Sequence, residues 1–166
     1  PGRAWGPKAR IVRSMPNMPG AIGSGITAIY ATPKTIPKDR KLAERLLAAL
    51  GETVWVKTEN LIDAATAVSG SGPAYVFLLV EALTEAAIKV GLPRDVAAKL
   101  ARQTVSGAGA LLDAEKTPVS ELRRNVTSPG GTTEAALKVL MREDGLAKLM
   151  QQAVVAARDR ARELGS

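Results

Sequence analysis

The chain has 166 residues, with 23 lysines and arginines against 16 aspartates and glutamates, and it contains neither cysteine nor histidine. Without cysteine it has no disulfide, thiol nucleophile or cysteine-ligated metal site. Without histidine it has no imidazole base, Ser-His-Asp triad or histidine metal ligand. We therefore expect no metal centre, and the lack of cysteine favours a cytoplasmic location.

The net charge of +7 raises the question of a nucleic-acid partner. The basic residues are scattered and often alternate with acids, as in the segment Arg158-Asp159-Arg160, which is typical of a solvated helix face. Aromatic residues make up only 3% of the chain, too few for a base-stacking surface. We expect no nucleic-acid partner, and a salt-dependent shift with arbitrary DNA would support that alternative.

No membrane partner is expected either. The longest apolar stretch, Ala74 to Val80, ends at Glu81. It is far shorter than the roughly 20 residues of a membrane-spanning helix.

The first third of the chain has an α/β pattern. Strands are predicted over residues 10–15, 25–31 and 52–57, with a helix from Pro37 to Leu50 between the second and third. Three strands are few for an independent sheet, so this segment is expected to be part of a larger α/β domain.

After residue 58 the pattern predicts helices only. Proline, glycine and Asn60 delimit the predicted helices, which cover 60–68, 73–90, 93–112, 117–125, 133–141 and 146–164. The run Ser69-Gly70-Ser71-Gly72-Pro73 is expected to separate the first two of these helices. Their apolar stripes favour packing against a partner chain, and a monomeric helical bundle is the alternative.

The segment from Thr127 to Thr133, with the adjacent glycines Gly130 and Gly131, is the most informative loop. Main-chain N–H groups of Gly131, Thr132 and Thr133 are expected to point outward at the start of a helix. Unpaired donors and the helix dipole together favour an anion there. The structural alternative is an ordinary helix start that Thr132 caps.

Two further segments could border a ligand. Met15-Pro16-Asn17 follows the first strand, and open α/β sheets bind ligands at the carboxyl ends of their strands. Ser69, Gly70, Gly72 and Pro73 leave little side-chain bulk beside the start of a long helix. A proline-stiffened strand exit and a close helix crossing are the structural alternatives.

Five ordered motifs resemble the pyrroline-5-carboxylate reductase family. They are Arg13-Ser14-Met15-Pro16-Asn17-Met18-Pro19, Leu61-Ile62-Asp63-Ala64 with Ser69-Gly70-Ser71-Gly72-Pro73-Ala74-Tyr75, Gly91-Leu92-Pro93-Arg94, Val126-Thr127-Ser128-Pro129-Gly130-Gly131-Thr132-Thr133 and Arg162-Glu163-Leu164. The resemblance covers residues 10–166. It implies NADPH- or NADH-dependent reduction of Δ1-pyrroline-5-carboxylate, a small imino acid, to L-proline.

The resemblance also implies a fold class. It is mainly α, with residues 1–58 the trailing half of a Rossmann-type dinucleotide-binding domain and residues 59–166 an all-helical dimerisation and substrate-binding domain. The helical domain would form a homodimer. No G-x-G-x-x-G phosphate loop follows a strand. We therefore expect little reductase activity from this chain alone, and a non-catalytic dimerisation module is the alternative.

Site residues follow from the resemblance by position. Thr133 would be the catalytic residue, with its hydroxyl near the ring nitrogen of the substrate. The substrate carboxylate would bind at Ser128, Gly130, Gly131, Thr132 and Thr133. The cofactor would be bordered by Met15, Pro16, Asn17, Ser69, Gly70, Gly72 and Pro73.

Overall fold

A computed structural model of the chain describes Gly6 and residues 9–165. The chain divides into two compact units, Pro1–Pro73 with Ala153–Ser166 and Ala74–Gln152. The strands are β1 (Val12–Met15), β2 (Gly25–Ala31) and β3 (Gly51–Trp55). The helices are α1 (Pro37–Leu47), α2 (Asn60–Ala65), α3 (Gly72–Lys89), α4 (Arg94–Ala114), α5 (Val119–Asn125), α6 (Thr132–Leu140) and α7 (Leu146–Gly165).

The first unit is organised around a three-stranded sheet in the order β1-β2-β3. Strand β2 pairs antiparallel with β1 and parallel with β3. The parallel pair starts at Gly25 opposite Gly51, where a Cβ on Gly51 would collide with the Gly25 backbone. Glycine at position 51 also has φ 125°, which other residues rarely adopt. These two glycines therefore allow the strands to start side by side.

Strand β2 forms the core of this unit. Ile29 on β2 and Ile62 on α2 are fully buried, and α2 packs against β1 and β2. Arg13 on β1 also reaches α2, where its guanidinium lies 3.5 Å from the Asp63 carboxylate and 3.4 Å from that of Glu59 just before the helix. The α/β segment and its helix are therefore joined by both apolar and ionic contacts.

The predicted interruption at residues 69–73 is wrong. Helix α2 runs into a π-helical turn, Thr66–Gly70, in which the Ser71 N–H donates to the Thr66 carbonyl oxygen at 2.8 Å. Helix α3 then begins at Gly72, two residues later. The serine-glycine run therefore forms a turn that contains one residue more than an α-helical turn, and the helical path continues through it.

The second unit buries very little of its own surface. Within residues 74–152 only Ala97 and Ala101, both on α4, are buried. Large apolar side chains are exposed along every longer helix of this unit, among them Phe77, Leu78 and Leu79 on α3 and Leu111 and Leu112 on α4. Exposed apolar side chains in this number are typical of a helical unit that packs against another surface.

The helical run over residues 60–89 is long and apolar enough, by length and composition alone, to cross a membrane. The prediction rested on the apolar stretch that ends at Glu81, and it missed this continuity. Its length arises because the π turn joins α2 to α3. The core helix of a soluble protein and a signal sequence pass the same test of length and composition.

Candidate functional site

A tight turn precedes helix α6 in the second unit. The Gly131 N–H donates to the Ser128 carbonyl oxygen at 3.1 Å, which closes a four-residue turn over Ser128-Pro129-Gly130-Gly131. Gly130 has φ 71°, and proline fixes its own φ near −65°. A proline second and a glycine of positive φ third define a type II turn.

A different physical constraint favours glycine at each of the two positions of the turn. Gly130 adopts a left-handed conformation that disfavours other residues, although a Cβ there would meet nothing within 4 Å. Gly131 has an extended backbone, but a Cβ on it would lie 2.5 Å from Ser128 Oγ and 3.1 Å from the Ser128 carbonyl oxygen. Backbone conformation therefore selects the first glycine, and close packing selects the second.

The Gly131 N–H was expected to point outward unpaired, and the structure pairs both it and the Gly130 N–H within the protein. The Gly131 N–H closes the turn, and the Gly130 N–H donates to Oε2 of Glu134 at 2.6 Å. Both partners are local. The type II turn directs the Gly131 N–H back to the carbonyl group of the first turn residue, and Glu134 in the first turn of α6 accepts from the Gly130 N–H. The substrate-binding role given to these glycines stays a prediction.

Helix α6 nevertheless starts with unpaired donors. Its N-cap is Gly131, which has no side chain for capping, so Thr132 is not the cap. Among the described residues, the N–H groups of Thr132 and Thr133 have no hydrogen-bond partner. These donors and the positive end of the helix dipole favour an anion at this point.

The Met15-Pro16-Asn17 segment lies in the first unit, at the carboxyl end of β1. The Asn17 side chain accepts a hydrogen bond from the Ile26 N–H through Oδ1, at 3.0 Å. This bond fixes the loop to the start of β2. The bond engages the acceptor atom of the Asn17 amide within the protein, so Asn17 has a structural role here, and its predicted place beside the cofactor stays a prediction.

The second predicted cofactor segment starts within the π turn. Ser69 Oγ donates to the Ala65 carbonyl oxygen at 2.9 Å, which places its hydroxyl on the helix. Gly70 ends the π turn, and Gly72 and Pro73 open α3. A Cβ on Gly72 would meet nothing within 4 Å, so the start of α3 presents bare backbone on that side.

The structure brings the two predicted cofactor segments together at one contact. A Cβ on Gly70 would lie 2.8 Å from Cε of Met15 and 3.5 Å from Cγ2 of Thr66. Glycine at position 70 therefore allows the end of β1 and the π turn to approach each other closely.

Glu134 is the residue that sequence reasoning missed in the loop. It is the third residue of α6, the position from which a glutamate commonly reaches back to the main chain before a helix. The spacing of Gly131 to Glu134 could have indicated this contact. Among the described residues no cluster of acidic residues could hold a metal ion.

The family of pyrroline-5-carboxylate reductase dimerisation domains matches residues 59–164. The pyrroline-5-carboxylate reductase of Pseudomonas aeruginosa is 44% identical over 162 residues, covering 97% of this chain and 59% of the relative. That of Synechocystis is 45% identical over 159 residues, with 96% and 59% covered. The chain therefore spans about three fifths of the length of these curated relatives.

Solved structures agree with these sequence matches. A pyrroline-5-carboxylate reductase from Coxiella burnetii matches with a TM-score of 0.91 and 44% identity, over 98% of this chain and 60% of that one. A Plasmodium falciparum pyrroline carboxylate reductase with NADP bound matches with a TM-score of 0.85 and 33% identity, over 99% and 66%. The mainly helical fold with a small α/β segment is thus confirmed. From its helical domain and these matches, the chain belongs to the pyrroline-5-carboxylate reductase family.

Proposed function

We propose that the complete protein reduces Δ1-pyrroline-5-carboxylate to L-proline with NADPH or NADH. One observation carries the proposal: in a chain of this family, helix α6 begins with unpaired N–H groups on Thr132 and Thr133. The substrate is a small ring that bears one carboxylate and one C=N bond. A helix start with unpaired donors is the kind of site that holds a carboxylate.

The substrate carboxylate would bind these N–H groups, with the hydroxyl groups of Ser128 and Thr132 as further donors. Binding at the helix start would fix the ring relative to α6. The side chain of Thr133, on the next residue, would then lie near the ring nitrogen. Its hydroxyl would donate to, or accept from, that nitrogen as the C=N bond becomes C–N.

The chemistry asks little of ionisable side chains. Addition of hydride to the carbon of a protonated imine needs no strong base and no nucleophile, which is consistent with a chain that has no histidine or cysteine. The chain's task is to hold the substrate in position and to exclude water around it.

The residues of the first unit fit the nicotinamide end of a dinucleotide. Met15 ends β1 and Pro16 follows it, the Met15 side chain lies against Gly70, and Gly72 leaves bare backbone at the start of α3. The bound cofactor supplies the hydride. No G-x-G-x-x-G spacing occurs in this sequence, so its residues do not indicate a choice between NADPH and NADH.

We also propose that the helical domain forms a homodimer. The support is the dimerisation family match together with the exposed leucines, valines and phenylalanine on α3 and α4. A second copy of the same surface would remove them from water. A soluble dimer in the cytoplasm accounts for the apolar run over residues 60–89 without a membrane.

The test is an assay of the protein expressed from its complete gene. We expect oxidation of NADPH or NADH that depends on pyrroline-5-carboxylate, with formation of L-proline measured by mass spectrometry. Light scattering on the same sample should give a dimer. A folded dimer that neither forms L-proline nor binds cofactor would instead support a non-catalytic dimerisation module.

A further inference from the structure

A carboxylate already occupies the loop before α6, and it belongs to the chain itself. Glu134 accepts the Gly130 N–H through Oε2 at 2.6 Å, a distance typical of a charge-assisted hydrogen bond. The acceptor is chemically the same group as the one that the proposed substrate would bring. Two carboxylates cannot both accept a linear hydrogen bond from the same N–H.

The second oxygen of Glu134 has a different partner. Oε1 lies 3.2 Å from Nζ of Lys138, one helical turn further along α6. The Glu134 carboxylate therefore contacts the turn with one oxygen and a lysine on the surface of α6 with the other. If it loses the contact to Gly130, it still has a cation within reach, so its release from the turn does not leave an unpaired charge.

A basic cavity lies beside Glu134, on its Lys138 side. A cavity of about 390 Å³ is lined by Arg123, Arg124, Lys138 and Glu134, together with Thr127, Leu137 and Met141. Three cations against one carboxylate leave two positive charges in excess (3 − 1 = 2). The only polar contact of the Arg123 guanidinium among the described residues is with the Met141 sulfur, at 2.8 Å.

We propose that Glu134 is an internal competitor for the substrate carboxylate. Without substrate it holds the Gly130 N–H. The substrate carboxylate displaces it and binds that N–H with those of Thr132 and Thr133, while Glu134 stays on Lys138. Glu134 therefore lowers the substrate affinity without touching the reacting atoms. This inference rests on the proposed function, because it assumes a carboxylate ligand at this loop.

The test compares KM for pyrroline-5-carboxylate in the protein expressed from its complete gene. Glu134→Gln and Glu134→Ala should each lower KM about threefold to tenfold, because they weaken or remove a partly exposed charged competitor. The turnover number kcat should stay within about twofold, because Glu134 does not touch the reacting atoms. A merely structural role would change kcat or stability and would not lower KM.

A matched control distinguishes the effect on KM of the Glu134 contact from the effect of a change in net charge. Glu143→Gln makes the same charge change at an exposed residue between α6 and α7, and we expect KM to stay near the wild-type value. Lys138→Met should raise KM, because it removes the cation that receives Glu134 after displacement. If KM rises or is unchanged in both Glu134 variants, Glu134 supports the turn or is irrelevant, and the competition is refuted.

A measurement on the unchanged protein covers the case of a variant that fails to fold. In protein labelled with ¹³C and ¹⁵N, saturating L-proline should move the Glu134 carboxyl resonance and the Gly130 amide resonance together. Proline that binds without moving the Glu134 resonance overturns the competition alone. Wild-type protein with no reductase activity and no proline binding overturns the proposed function as well.

Discussion

Gly70 and Met15 lie against each other although 54 residues separate them in the sequence: a Cβ at position 70 would lie 2.8 Å from the Met15 Cε. One residue ends strand β1, and the other ends the π turn before α3. Each belongs to a segment proposed to border the cofactor. The contact therefore links two predicted parts of one site within the first unit.

Gly70→Ala tests this contact. The new methyl group should displace the flexible end of Met15, so we expect a higher KM for NADPH in the complete protein. The free energy of unfolding should change by less than about 1 kcal/mol, because a methionine end adapts readily. Met15→Ala in the same protein should restore part of the cofactor affinity that Gly70→Ala loses. No effect of Gly70→Ala on cofactor KM would remove this contact from the site.

Gly131→Ala tests the packing of the turn. Its Cβ would lie 2.5 Å from Ser128 Oγ, so the turn must open, and we expect a loss of about tenfold or more in kcat/KM. Ser128→Ala with Gly131→Ala should relieve the hydroxyl contact and restore thermal stability in part, because the Ser128 carbonyl at 3.1 Å remains close. A Gly131→Ala protein with wild-type kinetics would show that the turn geometry does not matter.

Phe77→Glu tests the proposed dimer. Phe77 is 53% exposed on α3, and a charge buried between two copies would be costly. Light scattering should show a shift from dimer to monomer. Leu46→Glu is the matched control, since Leu46 is 65% exposed on α1 and lies outside residues 59–164. Equal dimer stability in both variants would contradict this placement of the interface.

Trp55→Phe tests the packing of α1 on β3. The indole Nε1 of Trp55 donates to Glu44 Oε1 at 2.8 Å, and the Arg40 guanidinium lies 5.1 Å from its ring centroid. Loss of the hydrogen bond and a weaker cation–π contact should lower the free energy of unfolding by about 1–2 kcal/mol. Glu44→Gln keeps an acceptor and should cost less, as thermal denaturation can measure. Equal Tm values for wild type and Trp55→Phe would contradict this estimate.

The sequence predicted most helices and strands within a few residues, because proline, glycine and apolar spacing act locally. Strand β2 was predicted at its observed bounds, 25–31. The π turn escaped prediction because a serine-glycine run signals a loop, whereas here Ser69 and Thr66 bond back to carbonyl groups of the preceding helical turn. Local signals do not show which of these two outcomes tertiary packing selects.

The sequence indicated which segments form the candidate site, but it did not indicate all the hydrogen-bond partners within them. Two glycines correctly indicated a special turn, and the helix after it starts at Thr132, one residue before the predicted start. The partners of Gly130 and Gly131 depend on the turn type and on Glu134, which the glycine pattern does not encode. Contacts between distant segments, such as that of Met15 with Gly70, likewise require the folded chain.

The most direct test of the proposed function is the kcat/KM for pyrroline-5-carboxylate of the complete protein with Thr133→Ala, beside Thr133→Ser. If the Thr133 hydroxyl faces the ring nitrogen, alanine should lower kcat/KM by about 10²-fold, because a preorganised hydrogen-bond partner of the reacting nitrogen is lost. Serine should retain most of the activity, and both variants should remain dimers. Wild-type kcat/KM in Thr133→Ala would contradict the placement of the imine at the start of α6.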